Sequence, residues 1–183
     1  MTISKDIFRA YDIRGIVENA LTPDAVQQIG QAFATEALSQ GQKTVVIGRD
    51  GRLSSPELAK RLSEGLCAGG CDVIDVGMVP TPVLYYATHK LETGTGIMVT
   101  GSHNPPQYNG LKMLIAGNTL YGDGITALYN MIIEDRLNSG EGKHTEQDIL
   151  PDYLDTIVSD IKLDKPLDIA VDCGNGVAGV CAV

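Results

Sequence analysis

Ser102 is the residue of this chain best placed to do chemistry. It stands in Thr100-Gly101-Ser102-His103-Asn104-Pro105-Pro106, a hydroxyl and an imidazole side by side on a segment shaped by glycine and proline. Gly101 has no Cβ, so a ligand or another backbone can approach it closely. Pro105 and Pro106 fix φ, and Asn104, which precedes a proline, is biased toward extended geometry. The segment follows Gly96-Ile97-Met98-Val99, an apolar run that reads as a buried strand. A stiff loop at the carboxyl end of such a strand is where open α/β sheets bind ligands. Taken alone, this local chemistry favours an ordinary polar turn. A serine esterase is a poor reading. Adjacent side chains such as Ser102 and His103 generally diverge, and the G-x-S-x-G elbow is absent because Asn104 replaces its second glycine.

Other residues offer weaker signals. Arg9, Arg14, Arg49 and Arg52 lie in or beside glycine-containing segments. Loop arginines suit phosphate through forked, charge-assisted hydrogen bonds, although each taken singly reads as a solvated surface charge. Gly174-Asn175-Gly176-Val177-Ala178-Gly179 matches the G-x-G-x-x-G pattern, but only four residues follow it. The helix and the distant acidic residue of a dinucleotide site have no room, so a tight structural turn is the better reading. Cys67, Cys71, Cys173 and Cys181 lack metal-knuckle spacing and read as small core thiols of a reducing compartment. His89 and His144 read as surface residues.

The elements that must position Ser102 follow from periodicity. Thr22 caps a first helix, Pro23 fits its first turn, Gly41 ends it, and Val26, Ile29, Phe33 and Ala37 share one face. A strand is expected through Val45-Val46-Ile47. A second helix starts at Ser54 or Ser55 with a Leu58, Leu62, Leu66 stripe and stops at Gly69-Gly70, and the next strand is expected over 72–77. This succession implies parallel strands joined by a right-handed crossover. A third helix opens at Thr81-Pro82, strands are expected over 96–100 and 111–115 with a turn at Gly110, and a fourth helix over 123 to about 137. The polar stretch 138–148 reads as a domain boundary. Beyond it, Leu150, Leu154, Ile157 and Ile161 mark a helix, and Leu167, Ile169 and Val171 alternate as in a strand.

At 183 residues and 43% hydrophobic content the chain can bury a real core. Its net charge of −9 argues against a general nucleic-acid binder. Residues 1–61 carry eight Lys/Arg and seven Asp/Glu, and the rest carry six and sixteen, so the cations concentrate in the N-terminal third. No apolar run reaches membrane-spanning length, and Met1-Thr2-Ile3-Ser4-Lys5-Asp6 lacks the regions of a signal peptide. A cytoplasmic protein without nucleic-acid or membrane partners is expected.

Five motifs in order alter the weight of the serine segment. Phe8-Arg9-Ala10-Tyr11-Asp12-Ile13-Arg14-Gly15, Gly48-Arg49-Asp50-Gly51-Arg52, Thr100-Gly101-Ser102-His103-Asn104-Pro105, Asn109-Gly110-Leu111-Lys112 and Asp172-Cys173-Gly174-Asn175-Gly176 resemble those of the α-D-phosphohexomutases, the bacterial phosphomannomutase/phosphoglucomutase group most of all. The resemblance runs over essentially the whole chain. It implies a three-layer α/β/α domain with a mixed, largely parallel sheet, followed by the start of a second α/β domain. It also implies that Ser102 is a phosphoserine that donates its phosphoryl group to a hexose monophosphate. The resulting 1,6-bisphosphate would reorient and return the other phosphate, exchanging hexose 1-phosphate and 6-phosphate.

By the same resemblance, Lys112 and Arg14 sit near the transferred group for acid–base work or charge stabilisation, and His103 orients or polarises the phosphoserine and its acceptor hydroxyl. Tyr11 contacts the sugar. Mg2+ takes a phosphate oxygen on Ser102 as one ligand, and glucose or mannose 1,6-bisphosphate is the implied activator. Hexose phosphates are the implied partners of a monomeric full-length enzyme. Without the resemblance, Lys112 reads as a strand-end surface charge and Tyr11 as a half-buried packing residue. Arg49 and Asp50 are expected to brace the loop through an ion pair. The chemistry agrees with these residue types: phosphoryl transfer is catalysed mainly by positioning and charge stabilisation, and a phosphoserine of about −1.5 to −2 charge needs cations nearby.

Members of that family are longer and have four domains. No Asp-Gly-Asp-Gly-Asp magnesium loop occurs here. The expectation is an N-terminal part comprising domain 1, residues 1–147, and an incomplete start of domain 2, residues 148–183, inactive by itself. The competing class is a noncatalytic sugar-phosphate-binding or interaction module derived from the same domain.

Overall fold

In the computed structural model, which describes residues 3–182, strands and helices run in the order β1 (Ile13–Ile16), α1 (Pro23–Ser39), β2 (Thr44–Arg49), α2 (Ser55–Ala68), β3 (Asp72–Met78), α3 (Thr81–Lys90), β4 (Gly96–Val99), β5 (Tyr108–Ile115), β6 (Asn118–Thr119), α4 (Asp123–Ile133), β7 (His144–Glu146) and α5 (Leu150–Asp160). Met1, Thr2 and Val183, at the ends of the two expected segments, lie outside the described residues. The sheet order is β1-β5-β4-β2-β3-β7, with β6 paired to β5. β4, β2, β3 and β7 are parallel, whereas β5 runs antiparallel to β4, β1 and β6.

Strand alternation sorts the apolar residues onto two faces. Val45 and Ile47 of β2, Ile97 and Val99 of β4, and Leu111 and Met113 of β5 pack with α1, α2 and α4. Val46 and Met98 point the other way and pack with Val83, Leu84 and Ala87 of α3. The expected three layers are therefore present, and the sheet is mixed because β5 returns antiparallel. Gly110, expected at a turn, lies inside β5; the chain reverses earlier, where Tyr108 N donates to Pro105 O at 3.0 Å.

The first helix forms as its residues dictate. Thr22 Oγ1 accepts from Ala25 N at 3.2 Å, and Val26, Ile29, Phe33 and Ala37 are fully buried. The α1–α2 contact is a backbone-close seam. A Cβ on Gly30 would lie 2.6 Å from Leu62 O, and one on Gly65 would overlap Gln27 O. Cys71 is buried beneath this layer, and all four cysteines are free thiols. Burial pushes the Cys71 thiol up to about 11.

Residues 138–148 depart from the expected polar connection. They are stitched to the domain: Asn138 N donates to Thr35 Oγ1 at 2.9 Å, Gly140 N to Ala68 O at 2.8 Å and Val73 N to Lys143 O at 2.7 Å. His144–Glu146 then extends the sheet as β7. Ile149 is buried against the α3 layer, and Tyr86 and Tyr153 meet edge to face at 5.4 Å, docking the first turn of α5. The strand expected around Leu167, Ile169 and Val171 is not formed, and these side chains are 54–70% exposed. Alternation alone does not make a strand; the backbone needs a neighbouring ladder, and among the described residues none lies beside this segment. Of the expected turn over Gly174–Gly179, residues 174–176 form a turn and the rest opens a short 3-10 helix at Val177–Cys181.

Two consequences are measurable. Gly65→Ala should lower the unfolding free energy by about 1–3 kcal/mol, seen as a lower urea midpoint with an unchanged slope, because the rigid neighbour is backbone. Cys71 is neutral when folded, and its folded pKa exceeds the ordinary value of 9.0. Its contribution is complete below that value and is lost as pH rises toward about 11. The melting temperature should therefore fall less steeply over this range in Cys71→Ala than in the unsubstituted chain.

Candidate active site

The serine loop leaves the end of β4, beside the end of β2 and the start of α2. Thr100 N donates to Gly110 O at 2.9 Å, and Asp50 N to Val99 O at 2.9 Å, fixing the loop's base to β5 and β2. Ser102 adopts a left-handed conformation with φ 51°. For a residue with a Cβ this costs about 1 kcal/mol or more and persists only where the surroundings hold it. Here Ser102 N donates to Thr100 Oγ1 at 2.9 Å, and Asn104 N and Nδ2 both donate to Gly101 O, at 3.0 and 2.8 Å. The loop is thereby wound tightly, with the Ser102 side chain outward.

Bracing comes from Asp50 and Arg52. Asp50 Oδ1 accepts from Arg52 N at 3.0 Å and from Ser55 Oγ at 2.6 Å; Oδ2 accepts from Gly101 N at 3.0 Å and sits 3.4 Å from Arg52 Nε. The Arg52 guanidinium reaches under the loop to the carbonyls of Ser102, Asn104, Pro105 and Tyr108 at 2.6–3.0 Å. A Cβ on Gly101 would overlap the Arg52 guanidinium, so the close approach at this glycine is made by a side chain. The expected brace by Asp50 is thus present, but its partner is Arg52. Arg49 instead lines a separate cleft of about 400 Å³ with Lys60, Asp75 and His144.

Neither serine at the start of α2 caps it by the usual side-chain bond. Ser55 binds Asp50, and Ser54 and Ser55 both accept from the buried Asn109 Nδ2 at 2.9 Å, while Asn109 Oδ1 accepts from Gly110 N at 2.9 Å. Asn109 therefore ties β5 to α2 directly beneath the loop. In the sequence, Asn109 stands out only as part of a motif and Arg52 only as one of four loop arginines. No local pattern shows that they reach partners 50 or more positions away.

Of the expected site residues, Ser102 and His103 are brought together: Ser102 Oγ lies 3.3 Å from His103 Nδ1, although neighbouring side chains usually diverge. Arg14 reaches the loop through Nη1, which donates to Asn104 Oδ1 at 3.4 Å, and its Nη2 lies 3.5 Å from Asp12 Oδ1. Leu111 faces the α1 layer, so Gly110 and Lys112 face away from it; Arg14 pairs with Gly110, which puts Arg14 and Lys112 on one face of the sheet. Lys112 is half-buried, and its side chain makes no hydrogen bond or ion pair among the described residues. Tyr11 is 77% exposed, so it is not the packing residue its alternative reading suggested.

A cleft of about 950 Å³ also borders Ser102, walled by Val17, Glu18, Leu53, Gln107, Asn175 and Val177. Arg14, Lys112, His103 and Tyr11 do not line it. Its charged groups are Glu18 and the mutually paired Asp50 and Arg52. A phosphate ester is better served by the Arg14–Lys112 face, where the cations are not already paired within the loop brace. Among the described residues no three His, Cys, Asp or Glu side chains converge on a metal position. The described side chains by themselves therefore do not make a magnesium cage.

Comparisons with known proteins identify the family. Residues 5–138 match the family model described as phosphoglucomutase/phosphomannomutase, alpha/beta/alpha domain I. The chain is 54% identical over 181 residues to a phosphomannomutase/phosphoglucomutase of Pseudomonas aeruginosa, covering 99% of the chain and 39% of that protein. It is 48% identical to a phosphoglucomutase of Neisseria gonorrhoeae, covering 99% and 40%. A crystal structure of a phosphoglucomutase/phosphomannomutase family protein from Burkholderia thailandensis superposes with a TM-score of 0.92 at 47% identity, over 97% of the chain and 41% of that structure. The chain thus spans about two fifths of the relatives it matches. No helix among the described residues is long and apolar enough to cross a membrane.

Asn109→Ala should cost about 1–3 kcal/mol, because it takes the buried Gly110 N–H's side-chain acceptor away and removes the donor shared by Ser54 and Ser55. Equilibrium urea unfolding of the chain measures this.

Proposed function

The chain belongs to the phosphoglucomutase/phosphomannomutase family, and on that premise we propose that Ser102 carries the phosphoryl group of a phosphohexomutase. The observation that carries this reading is the loop itself. Its backbone is bonded to Asp50, Arg52, Thr100 and Asn104, while the exposed Ser102 Oγ has only His103 Nδ1 as a hydrogen-bond partner among the described residues. A rigid backbone beneath a free hydroxyl is what an in-line phosphoryl donor needs.

In the proposed reaction a hydroxyl oxygen of a hexose monophosphate bonds to phosphorus as the bond to Ser102 Oγ breaks. The hexose 1,6-bisphosphate then reorients and returns its other phosphoryl group to Ser102, leaving the isomeric monophosphate. Lys112 and Arg14 stabilise the transferring charge from the sheet face they share, Arg14 already being anchored to Asn104. His103 orients the serine oxygen and polarises the reacting hydroxyl, whose proton passes to or from Lys112 or Arg14, and the exposed Tyr11 meets the sugar. A magnesium ion, when bound, would offset the charge of the phosphoserine; within this chain it would touch only that phosphate. Substrates are glucose and mannose phosphates, the 1,6-bisphosphate serves as activator, and the working enzyme is a cytoplasmic monomer. Residues 1–147 make the phosphoserine domain, and those from 148 onward begin the next.

The test is a hybrid in which residues 1–183 replace the matching segment of the Pseudomonas aeruginosa relative. A coupled assay should record conversion of glucose 1-phosphate to glucose 6-phosphate, and peptide mass spectrometry should place one phosphoryl group on Ser102. Ser102→Ala should lower turnover by on the order of 10³ or more. Near-normal turnover in that variant would rule out Ser102 as the donor. Hexose phosphate binding with no turnover or phosphoserine would favour a noncatalytic binding module.

A further inference from the structure

We propose that Arg52 is a positioning residue for Ser102, setting the serine oxygen by gathering the loop's carbonyls around one guanidinium; the catalytic part of this inference rests on the phosphoserine reading above. Arg52 Nη1 donates to Pro105 O and Tyr108 O at 2.8 and 3.0 Å, and Nη2 to Ser102 O and Asn104 O at 3.0 and 2.6 Å. Nε faces Asp50 Oδ2 at 3.4 Å. A guanidinium has five N–H donors in a fixed plane, and here the four on Nη1 and Nη2 are all given to loop carbonyls while Nε lies beside Asp50. The side chain is only 17% exposed. With both Nη nitrogens engaged by loop carbonyls, Arg52 acts on the reaction through the loop.

The geometry makes the guanidinium hard to replace. Four carbonyl dipoles converge on one point and repel one another unless a cation lies between them. An ammonium has three donors at a single centre and cannot span four acceptors held on the two arms of a fork. Gly101 belongs to the same device, since any side chain there would displace the fork. Ser102 donates through its N–H to Thr100 and accepts through its C=O from Arg52, so its left-handed backbone is held at both ends. Losing the Arg52 end frees Ser102 to relax toward an ordinary conformation, which swings Oγ away from His103. Arg49, three positions earlier, does not substitute, because it faces the other cleft.

Two measurements decide the matter. In the hybrid enzyme, Arg52→Lys and Arg52→Ala should each lower kcat by about a hundredfold, the scale of a misplacement near 1 Å, with KM for the hexose phosphate changed less than about threefold. Millimolar guanidinium should restore a measurable part of kcat in Arg52→Ala and none in Ser102→Ala. In the 183-residue chain itself, Arg52→Lys should speed amide hydrogen exchange at Gly101, Ser102 and Asn104 by about tenfold or more, while amides of β2 and α1 stay unchanged. An active hybrid in which Arg52→Lys keeps kcat within about threefold overturns the inference and leaves the phosphoserine reading standing. An inactive unsubstituted hybrid without phosphoserine counts against that reading. Exchange in the chain then decides the positioning role alone, and unchanged loop exchange in Arg52→Lys overturns it.

Discussion

The Asp50 carboxylate is the point on which the site hangs. It collects a backbone N–H from the serine loop, a backbone N–H and the guanidinium from its own loop, and a hydroxyl from the first turn of α2. Its own N–H is bonded to the last residue of β4. Three chain segments, the serine loop lying dozens of residues from the other two, therefore share one anion. Charge-assisted bonds of this kind are shorter and stronger than neutral ones, and a carboxylate can accept four of them. The parallel pairing of β2 with β4 puts Asp50 and Thr100 side by side, so the hydrophobic core delivers the carboxylate to its donors.

Around that point the molecule separates two jobs. The Arg52 cation is turned inward and engaged by carbonyls; Arg14 and Lys112 stand on one face of β1 and β5, where the strand pairing turns antiparallel, Arg14 touching the loop only through the Asn104 side chain. Such a division follows from electrostatics: one guanidinium cannot satisfy converging carbonyls and a phosphate at once. It also explains why the roomier cleft beside Ser102 is the less suitable place for a phosphate. Volume there is ample, but the charge available to a ligand is Glu18.

Much of the fold was legible because it is local. Thr22-Pro23 and the four apolar positions of α1, the Leu58-Leu62-Leu66 stripe, and the short apolar runs of β2 and β4 each follow from period, run length and capping chemistry. Ser102 was legible from the loop's residue types once the ordered motifs stood beside it. What escaped was non-local. Arg49 and Arg52 are indistinguishable in Gly-Arg-Asp-Gly-Arg; only the bulge at the end of β2 and the turn after it decide which one reaches the serine loop. The strand expected at Leu167–Val171 had the right alternation without a neighbour to pair with, and the polar stretch leading into β7 had a neighbour that its composition did not announce.

That polar stretch changes how the C-terminal part is held. A glycine-containing tether would leave the downstream chain free to sample a wide cone of orientations. β7 instead takes its direction from β3, and the Tyr86–Tyr153 contact sets the roll of α5 immediately afterwards. Orientational entropy is thereby lost when the sheet forms, not when a neighbouring surface docks. Anything packing on the exposed side of α5 meets a pre-aimed element, and its association is opposed by correspondingly less disorder.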